Sequence, residues 1–293
     1  MGPIGLIDGT LISLSEKVVE LEDRGYQFGD GAYEVTRVYN HRPFALPLHL
    51  ERLRRSLCEL RIPVPYTFEE LTGFHTLLIE SSGFGEASVY LQITRGVAPR
   101  AHAFPDRAVP RLTMTIQPVT ANDNLRTSGG SGIFVPDERW LRCDIKSINL
   151  LANVLAKQRA TEAGACEAIQ VRDGRVTEGS ATNFFVVKDG ALRTHPANHL
   201  ILRGICRTLI LERLVPKLGL RVVEEPFNVA FAKSAEEAFV TATVTEIMPI
   251  ISLDGAPVGS GKPGPVARRL IEALNALVDE ECARDRANAR KGH

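Results

Sequence analysis

Leu50, Leu53, Leu57 and Leu60 recur at helical spacing with arginine and glutamate between them, which predicts an amphipathic helix over Leu48–Leu60. A second helix is expected over Thr67–Ser81. There Thr67 and Glu70 have the spacing of a capping box, each side chain able to satisfy the other's free N–H. Tyr33–Tyr39 alternates like a strand and runs into Asn40-His41-Arg42-Pro43, a turn before Phe44-Ala45-Leu46. Ser88–Thr94 and Arg111–Val119 read as further strands. Farther on, Ile148–Ala163 reads as a helix stopped by Gly164. Two hairpins are marked by Asp173-Gly174 and Asp189-Gly190, each between apolar alternating runs. Cys206–Leu218 should be a helix closed by Gly219, Phe239–Thr245 a strand, and Val266–Val278 an amphipathic helix followed by a charged tail that frays after Asp279.

This order of strands and helices predicts a mixed α/β (α+β) protein. Its 293 residues suit two domains better than one core. The stretch Ala121–Gly132, rich in Asn, Ser and Gly, is the expected linker. It would divide a small N-terminal domain, residues 1–120, from a larger one, residues 133–293. Lysine plus arginine and aspartate plus glutamate both number 35, so no net field draws a nucleic acid or a membrane surface. The five cysteines are widely spaced with no C-x-x-C pair, which argues against a disulfide framework or a metal site and for a reducing, cytoplasmic setting. No apolar run would span a bilayer, and Met1 to Lys17 makes a poor export signal.

Several polar clusters could carry chemistry. Lys146 sits in Arg142-Cys143-Asp144-Ile145-Lys146-Ser147, directly before the helix expected at Ile148. A lysine there fits a solvated surface group; beside apolar neighbours it also fits an amine neutral enough to bond a carbonyl carbon. Glu178 follows a hairpin strand, where an exposed turn carboxylate is the plain reading. Arg203-Gly204-Ile205-Cys206-Arg207 opens a helix whose free N–H groups suit an anion. Thr241-Ala242-Thr243-Val244-Thr245 sets hydroxyls at a strand end. His49 and Arg52, one helical turn apart, could face a phosphate or simply solvent. Arg95-Gly96-Val97-Ala98-Pro99-Arg100-Ala101-His102 is either a solvated basic loop or a carboxylate trap, since an arginine forks two bonds to one carboxylate.

Taken together, Asp23-Arg24-Gly25-Tyr26-Gln27-Phe28-Gly29-Asp30-Gly31, the Lys146 segment, Val176-Thr177-Glu178-Gly179 and Gly259-Ser260-Gly261-Lys262-Pro263-Gly264-Pro265 resemble the fold-type-IV pyridoxal-phosphate (PLP) enzymes over most of the chain. The Arg95–His102 loop resembles the D-amino acid transaminase branch of that family. The resemblance implies that Lys146 bonds the cofactor and acts as catalytic base, and that Glu178 pairs with the pyridine nitrogen. It implies further that Leu202 packs on the ring and that Arg52, Ile205, Cys206 and Thr243 hold the phosphate. Tyr33, Arg100 and His102 would bind the substrate carboxylate. It also implies a homodimer with a shared site, and substrates that are D-amino acids, such as D-alanine and D-glutamate, with 2-oxo acids such as pyruvate and 2-oxoglutarate. Alternatives within the family are an (R)-selective amine transaminase, a branched-chain L-amino acid transaminase and an aminodeoxychorismate lyase; a non-catalytic PLP-binding protein is an alternative of another class. Cys206 and Ala242 depart from the pattern by replacing hydroxyl residues of the phosphate cup, and Arg203 departs beside them.

Overall fold

The computed structural model describes residues 4–119 and 123–283. It divides into two units, Met1–Thr120 with Leu274–His293 and Ala121–Ala273.

The first unit is built on an antiparallel sheet of six strands in the order β2-β1-β6-β5-β3-β4. These are β1 (Ile4–Ile7), β2 (Thr10–Ser13), β3 (Gly31–Tyr39), β4 (Arg42–Pro43), β5 (Ala87–Thr94) and β6 (Arg111–Pro118). A short helix, α1 (Arg24–Phe28), precedes β3, and α2 (Leu46–Glu59) and α3 (Phe68–Ser82) follow β4. The leucine stripe of α2 is buried as its period predicts: Leu50, Leu53 and Leu57 join Leu78 and Ile79 of α3 and Val89, Leu91 and Ile93 of β5 in one core. The capping box at Thr67 forms, with the threonine hydroxyl accepting from Glu70 N at 3.2 Å and the Glu70 carboxylate accepting from Thr67 N at 2.7 Å.

In the second unit a nine-stranded mixed sheet runs β12-β11-β10-β13-β14-β7-β8-β9, with β15 (Ala256–Pro257) paired to β14. The strands are β7 (Gly130–Pro136), β8 (Glu167–Arg172), β9 (Arg175–Gly179), β10 (Asn183–Lys188), β11 (Ala191–Thr194), β12 (Arg221–Glu224), β13 (Glu237–Ala242) and β14 (Glu246–Leu253). The two expected hairpins, β8–β9 and β10–β11, both form. Asp173 and Gly174 take φ of 49° and 73°, the left-handed pair that a two-residue turn needs to match strand twist. β7 and β8 are parallel, joined by α5 (Leu151–Glu162), whose Ala156 and Ala160 pack on Val135 and Ala168. Segments leaving the carboxyl end of such strands are where α/β sheets bind ligands, and residues 137–150 leave the carboxyl end of β7.

Five expectations need correction. Helix α5 begins at Leu151, not Ile148. The stretch read as linker carries a helix, α4 (Asp123–Ser128), and the first residues of β7; Ala121 and Asn122 lie outside the described residues. β13 stops at Ala242, so Thr243 stands in the turn before β14. The helix from Ile205 is interrupted: α6 (Ile205–Leu209) passes through a π-helical turn (Ile210–Leu214) into α7 (Val215–Leu218). One short helix more, α8 (Val229–Lys233), precedes β13. The last helix, α9 (Pro265–Cys282), persists beyond Asp279, because Cys282 is buried and its carbonyl accepts from Asn40 Nδ2 at 3.4 Å; residues 284–293 are outside the described part.

Replacing Thr67 by alanine removes one half of a reciprocal cap and should lower unfolding free energy by about 1 kcal/mol. Urea titration would detect this, and an unchanged midpoint would show the box to be energetically idle.

Candidate active site

In the second unit the segment after β7 is tied at several points. Cys143 N donates to His199 O at 2.8 Å, and Arg139 Nη2 to Leu200 O at 3.2 Å. At its far end Asn153 Nδ2, in the first turn of α5, donates to Ser180 O at 2.7 Å. Lys146 lies between these ties, half-buried, with buried Ile145 and Ser147 on either side. It is not at a strand-to-helix junction, since four residues separate it from α5.

Glu178 is not an exposed turn residue either. It is the fourth residue of β9 and is buried. Its carboxylate accepts from Arg139 Nη1, from Asn183 Nδ2 at 2.8 Å and from Leu202 N at 3.1 and 3.2 Å. Two expected site residues, Glu178 and Leu202, are thus in direct contact. Burial pushes the Glu178 carboxyl above the usual carboxylate range, while Arg139 and the Leu202 N–H pull the other way. Asn183 Nδ2 also donates to Leu202 O at 2.8 Å. That packing demands glycine next door: a Cβ on Gly204 would stand 2.1 Å from Asn183 Oδ1.

Gly204 is the N-cap of α6 and offers no capping side chain, so the first-turn N–H groups at Ile205 and Cys206 have no partner within the helix. The Cys206 thiol is buried 3.7 Å from Glu246 O, and burial pushes it up to about 12, so it stays protonated. Arg203 is exposed and pairs with Glu212 at 2.6 Å. On the strand leading to Thr243, the buried hydroxyl of Thr241 has no hydrogen-bond partner among the described residues, and neither has that of Thr208 on α6. Thr241 pairs across the sheet with Asn183. Glu246, which closes the Thr243 turn, takes a left-handed φ of 58° and meets Arg126 at 2.8 Å.

In the first unit Arg52 is buried on α2 and forks onto Glu34 of β3, Nε to Oε1 at 2.7 Å and Nη2 to Oε2 at 2.8 Å. His49 reaches the same carboxylate at 2.8 Å, so it faces β3 rather than solvent. Burial works to raise the Glu34 pKa, but Arg52 and His49 outweigh it and hold it down to about 2. Tyr33, half-buried on β3, stacks on Tyr90 with centroids 5.5 Å apart. Arg100 and His102 are exposed and meet on one ring: the Arg100 guanidinium is 5.0 Å from the Phe28 centroid and the His102 ring 5.6 Å. Their loop is braced from below. Asp30 binds Arg24 and Arg95, and Arg24 Nη1 donates to Ala101 O at 2.6 Å.

Residues that the sequence pattern does not single out are Arg139, Asp137 and Asn183, which surround Glu178. Arg139 is 39 residues from Glu178 and Asp137 is 40 from Thr177, so no local spacing announces them, and Asn183, five residues from Glu178, stands in no motif.

The family model for class IV aminotransferases matches residues 31–253. A D-alanine aminotransferase of Bacillus licheniformis is 42% identical over 279 residues, spanning 95% of this chain and 98% of its own. One of Listeria monocytogenes is 42% identical over 280 residues, with 94% and 96% covered. Among solved structures, the branched-chain amino acid aminotransferase of Escherichia coli superposes with a TM-score of 0.90 at 25% identity, covering 98% of both chains. That of Thermoproteus uzoniensis, solved with norvaline, gives 0.86 at 27% identity over 96% and 97%.

Glu34 makes a pH prediction. Its folded pKa lies below the unfolded value, so the stability it contributes is complete above about 4.5 and is lost as pH falls through about 2. The gap is on the order of 3 kcal/mol. Between pH 5 and pH 2 the difference in urea stability between wild type and E34Q should therefore narrow by most of that amount. A constant difference would contradict the pairing.

Proposed function

Because this chain belongs to the class IV aminotransferases, we propose that it uses PLP to move amino groups between D-amino acids, such as D-alanine and D-glutamate, and 2-oxo acids, such as pyruvate and 2-oxoglutarate. The observation that carries the reading is the 42% identity to D-alanine aminotransferases over 95% of the chain. The Arg100–His102 pair supports it, since an exposed guanidinium and imidazole on one aromatic ring suit a carboxylate and have less use in an enzyme for simple amines.

The residues fit the cofactor. A buried carboxylate that takes only one arginine bond suits a protonated ring nitrogen, and a side-chain-free helix start suits a phosphate. A buried unpartnered hydroxyl at Thr241 stands beside that set. When bound, PLP supplies an aldehyde carbon and an electron-withdrawing ring. Lys146 is the amine that bonds it and then carries the proton from the substrate Cα, as base and afterwards acid. Glu178 keeps a proton on the ring nitrogen. Leu202 packs on the ring; Ile205 and Cys206 N–H groups, Thr243 and Arg52 bind the phosphate, Arg52 with its guanidinium already oriented by Glu34. Tyr33, Arg100 and His102 fix the substrate carboxylate, so that only one enantiomer offers its Cα hydrogen to Lys146.

The protein acts as a homodimer in which the Arg100 loop serves the partner's site. Exposed Trp140, Leu141, Leu151, Val154 and Leu155 support a protein partner, because water would otherwise cover that apolar surface. Free cysteines support a cytoplasmic setting, and no helix among the described residues is long and apolar enough to cross a membrane.

Steady-state rates with 2-oxoglutarate should favour D-alanine over L-leucine, L-alanine and a chiral amine by roughly a hundredfold in kcat/KM; preference for L-leucine would instead favour the branched-chain reading. Borohydride reduction should leave the cofactor on Lys146, and a label elsewhere ends the assignment. A bound-cofactor spectrum untouched by D-alanine would point to a non-catalytic binder. C206T should hold PLP about tenfold more tightly, since a hydroxyl bond to a charged group contributes roughly 1.5–3 kcal/mol. Equal loss of PLP on dialysis from both proteins would refute that.

A further inference from the structure

Arg139 has no role in the reading above, yet it is the charged group closest to Glu178. Its side chain is 6% exposed and that of Asp137 is not exposed at all. The guanidinium is unequally divided. Nε and Nη2 fork onto Asp137 at 2.9 and 2.8 Å, leaving Nη1 alone for Glu178. Asp137 is further held by Thr177 Oγ1 at 2.9 Å and Arg172 Nη2 at 3.0 Å. Two buried carboxylates are therefore matched by two guanidinium groups, and the cluster is neutral.

The division leaves Glu178 with a single bond from the guanidinium. A carboxylate offers about four acceptor positions. Three donors reach this one: Arg139 Nη1 on Oε1, Asn183 Nδ2 on Oε2, and Leu202 N divided between both oxygens. The guanidinium supplies only one of these bonds. If Arg139 instead forked onto Glu178, as Arg52 does onto Glu34, both oxygens would be held by it. By engaging Arg139 twice, Asp137 limits it to one bond with Glu178.

We propose that Arg139, itself oriented by Asp137, is the positioning residue that keeps Glu178 charged and aimed at the ring nitrogen, and so governs how firmly and over what pH range this chain retains PLP. The proposal rests on the PLP reading above. Its pH signature is separable, because the titratable groups around Glu178 are displaced away from the middle of the range. Burial drives the Cys143 thiol up to about 11 and lowers the His195 imidazole below its ordinary range, and Arg139 together with Thr177 overcomes burial to hold Asp137 below the carboxylate range. Against the effect of burial, Asp137 and Glu178 push Arg139 further toward its cationic form. Among these groups only Glu178, pushed upward by burial, is left to titrate once its cation is removed.

The test reconstitutes wild type, R139Q, R139K and R139Q/E178Q with PLP and measures its dissociation constant from pH 6 to 9. R139Q should bind roughly tenfold more weakly at pH 6.5 and recover as the pH rises and Glu178 ionises. R139K, which keeps the charge, should follow wild type, and the double variant should lose the added pH dependence. Parallel curves for wild type and R139Q overturn the proposal, as does R139K failing as badly as R139Q. Should R139Q not fold, the infrared difference between wild-type and E178Q holoenzyme decides. A carboxylate band at neutral pH supports the proposal, and a carboxylic-acid band overturns it. A wild type that binds no PLP sinks the functional reading itself, which is a distinct result.

Discussion

A carboxyl group folded away from water stays ionised only where fixed donors and cations replace the lost solvent. Glu34 in one unit and Glu178 in the other are two such groups, and they are handled differently. Glu34 receives a complete fork from Arg52 and a third bond from His49, and its pKa falls. Both its oxygens are held by one guanidinium, and the effect is to fix α2 against β3. Glu178 receives one bond from an arginine already committed elsewhere, and its pKa rises. A carboxylate closed by a bidentate arginine builds structure; one given a single arginine bond is costly for folding and useful for binding. The arrangement around Glu178 has the second character, and the loops on either side are tied to it through Leu202 and Arg139.

Much of the frame was legible in the chain. The α2 leucines, the Thr67 box and the Asp-Gly turns work through neighbours a few residues away, so their pattern and their structure are nearly the same thing. What was not legible depends on partners far along the sequence. Ile148 and Leu150 continue an apolar period that looks helical, but that part of the chain closes short turns instead, with Ser147 N on Ile145 O and Leu150 N on Ile148 O. Polar residues 123–128 looked like linker and wind into α4 against β14, where Arg126 meets Glu246.

The same distinction separates the site residues. Lys146, Glu178 and the glycine at 204 could be picked out by motif. Burial of Glu178 could not, because Thr177 and Glu178 prolong β9 beyond the apolar residue that marks it. Arg139 has no motif at all, since Glu178 is 39 residues away. Likewise the basic loop at residues 95–102 reads as solvated until Asp30, far upstream, is seen to hold Arg24 and Arg95 beneath it.

The π-helical turn after α6 follows from Pro216, which has no N–H to return to the preceding turn, while Val215 N reaches back to Ile210 O. One surplus residue accommodated in this way rotates everything downstream relative to everything upstream by about a quarter turn. The end that begins at Gly204 and the end that stops at Gly219 can thus each satisfy their own surroundings, without a shared helical phase forcing a compromise. The spacer works as a torsional joint, and the chain can drift on the outer side while the inner side keeps its aim.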